Sequence, residues 1–555
     1  MSPREFSLPL SVRRLLSCLG LAIAAALVSV PDAAAAPLKP LAVSSDGHHL
    51  VTGDGRPFFW LADTAWELLH RAGPGEAELY LRKRAEQGFN VVQVVALAEL
   101  DGVRTPTPDG LRPFISDDPA RPDERYFDRL AALVDEAGRR GLYVALLPTW
   151  GDKLTAPWGA GPRLFRTDKL AVAQGYARYL ARKMCGRTNI VWMLGGDRPP
   201  TLKGPPADWW VRSWAGEAGF AADHDWRPIW RAMAKGIEDG ACTKPLIAYH
   251  PQGGPESTSM LLAGEPWLAV NGVQSGHGGG RDIPAWETIA RDYALKPAKP
   301  VIDLEINYED HPVSPWPRWD AANGRFDDHD VRKQAYRTVF AGAAGVTYGH
   351  HSVWQWSGER FPGINHADRS WREALDRPGA WQMRHLRALM LARPYLTRVP
   401  APELLPENGK GSRHAEATRA ADRSWAYLYL PAAGSYRIAL QTLRRPRLRL
   451  SWFDPRTGAV TPAGTVRTAA PAAIATPAGG EDWVLILDDP RRRFRRPRQA
   501  SALAAAAAHP RGGACRQAAA GPHEAGRGNE FARRALPRTR PDPAVRAGGA
   551  GHVNQ

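Results

Sequence analysis

Cysteine is scarce, four in 555 residues, and none sits in a CxxC or beside histidines at metal-ligand spacing. No GxSxG turn marks a serine hydrolase and no HExxH marks a zinc protease. No GxGxxG follows the first apolar run to hold a dinucleotide. The glycine-rich stretch Ser275–Gly280 lacks the Lys-Ser/Thr ending of a phosphate loop and reads as a flexible site loop. His350 and His351 make a poor metal pair, since neighbours on a strand point to opposite faces. These gaps argue against an esterase, a metalloenzyme and a nucleotide enzyme. Neither a metal nor a cofactor is expected.

Lysine is missing from the last 65 residues, yet the basicity lies there. From Arg491 to Gln555 fourteen Arg face three acids, a net +11 out of the chain's +16. That stretch is rich in Ala, Gly, Pro and Arg with almost no large apolar side chains, so residues 490–555 are expected to be a disordered, dispensable tail. A nucleic-acid partner is not expected. At the other end, Arg4, Arg13 and Arg14 precede an apolar run from Leu15 to Val30 and then Ala33–Ala36. Charge, apolar stretch and small residues in that order describe a signal peptide over 1–36. The run is short for a membrane span and lacks a basic stop signal, so no anchor is expected and the protein is secreted or periplasmic. It is expected to act as a monomer. Cys18 leaves with the leader and Cys515 lies in the tail. Cys185 and Cys242 remain, each just ahead of a predicted strand, and an oxidising compartment permits a bond if their Cα atoms lie within roughly 7 Å.

Eight apolar runs alternate with amphipathic stretches: Phe58–Trp66, Val91–Ala98, Tyr143–Trp150, Ile190–Asp197, Leu246–Pro251, Ala269–Gly276, Pro300–Asn307 and Gly345–Val353. Several are almost wholly apolar, as parallel strands buried on both faces require. Helical spacing shows between them, for example Phe127, Leu130, Leu133, Val134 and Ala137 within Arg125–Gly141. The pattern predicts an α/β fold, a (β/α)8 barrel over 37–395, with a doubly wound open sheet as the alternative. Beyond it Trp425–Leu430, Tyr436–Leu440, Arg447–Phe453 and Trp483–Leu487 predict a small antiparallel β-sandwich over 396–489. Its Trp and Tyr could serve as a glycan platform, though core packing is their commoner use.

The chemistry gathers at strand ends. Asp197 closes the fourth run and Glu305 the seventh, on the face where barrel enzymes keep their active sites. Two carboxylates facing each other are what glycosidic cleavage needs. By period-2 alternation Asp303 shares the lumen side with Glu305. Other strand ends supply aromatic faces for sugar C–H surfaces and polar groups for hydroxyls. The substrate-binding set is Asp63, Trp66, Trp150, His250, Gln274, His277, Tyr308, His350, His351, Trp354 and Trp356. The residues therefore point to a glycoside hydrolase acting on a polysaccharide or oligosaccharide. A non-catalytic glycan-binding protein is the alternative.

Several motifs in order carry a resemblance. Phe58–Trp66, Gln87–Val95, Leu194-Gly-Gly-Asp197, Asn271–His277, Pro300-Val-Ile-Asp-Leu-Glu305 and Thr347–Gln355 resemble the apiosidase-like glycoside hydrolases, over about residues 38–488. Trp452–Gly458 and Asp482–Leu487 resemble the small sandwich that follows the barrel there and carries a collagen-binding label. The resemblance implies an acid/base at Asp197 and a nucleophile at Glu305, hence retention of configuration. It also implies removal of apiose-linked side chains from a plant pectin. Asp197, flanked by Trp192, Met193 and Leu194 and facing a second carboxylate, should have a raised pKa.

Overall fold

Short apolar runs bounded by glycine and helix-capping residues fold here into strands, and the longer 3.6-period stretches fold into the helices that cover them. The computed structural model describes residues 37–155, 161–202, 219–221, 223–254, 256–313 and 321–497. The leader expected over 1–36 and residues 498–555 of the tail lie outside the described residues.

Three short strands come first: β1 (Leu41–Val43), β2 (Leu50–Thr52) and β3 (Pro57–Phe58) form an antiparallel sheet. Leu41, Leu50 and Phe58 join the apolar cluster of the barrel lumen and close its lower end. Phe58 thus belongs to this plug, and the first barrel strand begins at Trp60. The barrel strands are β4 (Trp60–Thr64), β5 (Val91–Val95), β6 (Tyr143–Leu147), β7 (Ile190–Gly195), β8 (Ile247–His250), β9 (Asn271–Gln274), β10 (Val301–Glu305) and β11 (Gly345–Tyr348). They hydrogen-bond in the order β8-β7-β6-β5-β4-β11-β10-β9, all parallel. The seam between β8 and β9 is bridged by Ala269 N–H donating to Ile247 O at 2.9 Å. This is the (β/α)8 arrangement; the doubly wound alternative is excluded by the order.

Side chains alternate between two dry layers. Ala62, Val91, Val95, Ala145, Leu147, Val191, Met193, Ile302 and Leu304 fill the lumen. Val92, Val94, Val144, Leu146, Trp192, Leu194 and Tyr249 pack under the helices. Cys185 and Cys242, ahead of β7 and β8, are joined by a disulfide with Cα atoms 5.4 Å apart.

After the helix Pro378–Leu391 the chain enters the sandwich. Its strands are β12 (Arg398–Pro400), β13 (Glu416–Ala420), β14 (Trp425–Leu430), β15 (Ser435–Ile438), β16 (Arg447–Phe453), β17 (Val460–Arg467), β18 (Ala472–Ala475) and β19 (Trp483–Asp488). Six of them pair in the order β12-β13-β14-β19-β16-β17, while β15 and β18 form a second, two-stranded sheet. One face of the large sheet presents Tyr427, Tyr429, Val484 and Ile486 to barrel residues Tyr336, Val339 and Leu386. The other face closes over Tyr436, Ile438 and Leu440. Core packing is therefore the use made of these aromatic residues. A buried pair fastens the domains: Arg332 grips Asp482 through Nε and Nη2, both at 2.8 Å, and Tyr429 donates to the same carboxylate. Within residues 491–497, counted above with the tail, Phe494 and the Arg495 carbonyl touch the fold while the arginine side chains are exposed. The Phe494 ring lies 4.6 Å from the Arg393 guanidinium, and Arg393 donates to Arg495 O at 2.7 Å.

Candidate active site

From the last residue of β7 the backbone takes three left-handed residues in a row, Gly195 (φ +92), Gly196 (φ +106) and Asp197 (φ +51). A Cβ on Gly195 would strike His250 O, and one on Gly196 would lie 2.9 Å from Gly151 N, so only glycine fits. Asp197 pays about 1–3 kcal/mol of local strain for that backbone, the kind of conformation retained at functional sites. Its side chain is 29% exposed at the rim.

Opposite it, β10 breaks its alternation. The β9–β10 register shifts between Asp303 and Glu305, so that Leu304 faces the lumen and Glu305 still turns into the mouth. The expected pairing of Asp303 with Glu305 on the lumen side is corrected by this bulge. Asp303 points under the helices, where Ser275 Oγ donates to it at 2.6 Å and Gln334 in turn donates to Ser275. Glu305 Oε1 lies 2.9 Å from His277 Nε2, and Oε2 lies 3.0 Å from His250 Nε2.

The rim between the two acids is continuous. His250 ends β8 beside Gly195, Gln274 ends β9 beside Glu305, and the Gln274 side chain acts on the Asp197 carboxyl, favouring its charged form. Trp66 donates from Nε1 to the Tyr308 hydroxyl at 3.0 Å, and its ring lies 4.8 Å from Trp150 and 5.1 Å from His250. Trp354 lines the same cluster. His277 stacks on His311 at 4.7 Å, and His351 meets His311 edge-on at 4.5 Å. Asp197, Glu305, Trp66, Trp150, His250, Gln274, His277, Tyr308 and Trp354 thus converge, with His351 one layer behind.

Three expected residues do not. Asp63 faces the helix layer, fully buried, accepting from Arg84 Nε at 2.7 Å and from Tyr80. His350 lies beyond the end of β11 and caps the short helix His351–Trp354. Its Nδ1 accepts from Ser352 N and its Nε2 meets Asp310 at 3.0 Å, so both ring nitrogens are spent. Trp356 turns outward at φ +58 and stacks on Trp371 at 4.1 Å. Position at a strand end named all three, but Asp63 lies on the strand's outer face and His350 and Trp356 lie past the end of β11, where the chain has left strand geometry.

Electrostatics separate the two acids. Burial raises the Asp197 pKa, the nearby Glu305 charge adds to that, and Arg198 only partly opposes it. Burial also pushes on Glu305, but hydrogen bonds and charge from His250 and His277 prevail and hold it at about 2. A layer that sequence reasoning missed lies behind Asp197. Arg198, buried, donates to the Asp197 carbonyl at 2.7 Å and sits 3.6 Å from Glu99, whose pKa burial lifts to about 8. Glu99 follows the second barrel strand as Asp197 follows the fourth, the one signal that could have found it.

Residues 44–397 match the family described as "Apiosidase-like, catalytic domain". The chain belongs to that family. Residues 399–488 match "Putative collagen-binding domain of a collagenase". Among solved structures, one described as a glycoside hydrolase is 27% identical, with TM-score 0.69, over 82% of this chain and 98% of its own. A glycoside hydrolase family 5 structure from Bacteroides vulgatus is 28% identical, with TM-score 0.69, over 82% of this chain and 94% of its own. No curated protein matches. This apiosidase-like chain is a glycoside hydrolase, and its substrate is a carbohydrate. Among its described residues no group of three or more His, Cys, Asp or Glu side chains could hold a metal ion, and no helix is long and apolar enough to cross a membrane.

Proposed function

We propose that the enzyme hydrolyses a glycosidic bond in a plant or microbial polysaccharide with retention, Glu305 acting as nucleophile and Asp197 as acid/base. The observation that carries this is the opposite displacement of two neighbouring carboxyl pKa values, Glu305 downward and Asp197 upward. Environments that drive a pair apart assign their roles: the ionised member attacks and the protonated one donates. Glu305 attacks the anomeric carbon while Asp197 protonates the leaving oxygen. Asp197, now ionised, then draws a proton from the water that releases the sugar. Trp66, Trp150 and Trp354 offer stacking faces, and Gln274 and Tyr308 offer hydrogen bonds to hydroxyls.

The family match supports an apiose linkage as the bond cut, and a pectic side chain is the substrate that the resemblance implies. Action outside the cytoplasm is supported by the leader pattern and by the Cys185–Cys242 disulfide, a bond that persists in oxidising compartments. Incubation with a panel of pectic side-chain oligosaccharides should release fragments whose new reducing end is apiose. NMR should show the first-formed anomer retaining the substrate's configuration. A different sugar at the new reducing end would sink the apiose assignment, and an inverted first product would sink retention.

A further inference from the structure

The end of the large sandwich sheet farthest from the barrel mouth is an arginine pole. Helix Pro378–Leu391 sets the distance. Near its N-terminus Arg377 meets Asp310, two residues from Tyr308 of the active-site cluster, and Gly379 N donates to Glu309. Past its C-terminus Arg393 pairs with Asp488 at 2.8 Å. Fourteen helical residues separate the two ends by about 21 Å.

Around Asp488 cations outnumber acids. Asp488 is shared by Arg393 and Arg449, Asp489 by Arg445 and Arg491, and Asp422 is met by Arg492. Beside them β16 and β17 set Arg447 directly opposite Arg467, both exposed. Opposed side chains on neighbouring strands lie about 5 Å apart at Cβ, and like charges there destabilise the sheet. Neither has an acidic partner among the described residues, nor do Arg493 and Arg496 on the segment that follows β19. A sheet edge that repels itself gains stability from an external polyanion.

We propose that this pole docks the enzyme onto a polyuronate, a polysaccharide whose carboxylates repeat along the chain. The choice of polyuronate among polyanions rests on the pectic reading above. Single-stranded nucleic acid fits less well, since such sites add exposed aromatic platforms to the cations. The exposed large apolar side chains among the described residues are Ile115, Met260 and Leu295, none of them aromatic. Docking from this end leaves the barrel mouth free to meet side chains of the same or a neighbouring polymer.

Affinity electrophoresis of the full chain tests the proposal, with polygalacturonate, its fully methyl-esterified form or single-stranded DNA in the gel. Polygalacturonate should retard the protein, the ester should not, and added salt should abolish the retardation. R447S/R467S/R493S/R496S should bind polygalacturonate at least about fivefold more weakly. R447S/R467S, which removes the repelling pair, should bind about twofold more weakly with a melting temperature no lower than the parent's. Equal retardation by the ester, no weakening in either variant, or tighter capture by DNA would overturn it. The readout is binding to a polymer backbone, so it fails or succeeds independently of whether the enzyme releases a sugar.

Discussion

At the fourth strand a carboxyl rides on three left-handed residues, 29% exposed, with an arginine behind it; at the seventh a carboxyl ends a bulged strand, 5% exposed, between two imidazoles. Both acids feel burial, which favours the neutral form. The difference lies in what each is given in return. Arg198 sits 3.4 Å from Asp197 but also serves Glu99, so its charge is divided. His250 and His277 each set an Nε2 atom within 3.0 Å of Glu305. Protonation is set by the number and nearness of partners more than by depth, which is why the more buried acid is the ionised one.

Removing the seventh-strand acid should break the comparison most severely. Glu305→Gln should lower kcat by roughly 10⁴-fold or more on every substrate, since no other carboxylate replaces the attacking oxygen. A loss under tenfold in a purified, folded variant would assign the nucleophile elsewhere. Asp197→Ala should cost about 10²–10⁴-fold on natural linkages and spare aryl glycosides with good leaving groups, which need no proton. Uniform loss on both substrate types would show a structural role instead.

The imidazoles sharpen the contrast. His277→Ala should raise the Glu305 pKa and move the acid limb of kcat/KM up by about one pH unit. The sign extends to stability. The folded Glu305 value of about 2 lies below the ordinary 4.5, so its contribution is full above pH 4.5 and is lost as pH falls towards 2. Melting temperatures of parent and variant across that window should converge at the acid end; parallel curves would contradict the assignment. Least affected should be activity in Cys185→Ser/Cys242→Ser. The bond closes a loop with a sequence separation of 57, so its loss should cost about 2–4 kcal/mol of stability while kcat changes less than twofold.

Much of this was legible in the residues because buried parallel strands must be apolar on both faces: the eight runs contain β4 to β11. Asp197 and Glu305 were found because each interrupts such a run with a charge. Legibility failed where strand geometry failed. Period-2 alternation cannot see the bulge that separates Asp303 from Glu305, nor the turn into a helix that converts His350 from a pocket residue into a cap. Asp63 was misread because a carboxylate facing outward is invisible until Arg84 is known to stand over it. In the sandwich, β17 went unseen since its burial is almost nil, leaving no apolar pattern to count.

The bulge in β10 carries one last consequence. Because Leu304 and Glu305 both turn inward, the phase of every side chain beyond that point depends on a single extra residue. Excising Leu304 would take a fully buried side chain out of the lumen and draw Glu305 one residue back along the strand, away from the mouth. The nucleophile would still face inward, but from a level set for an apolar side chain.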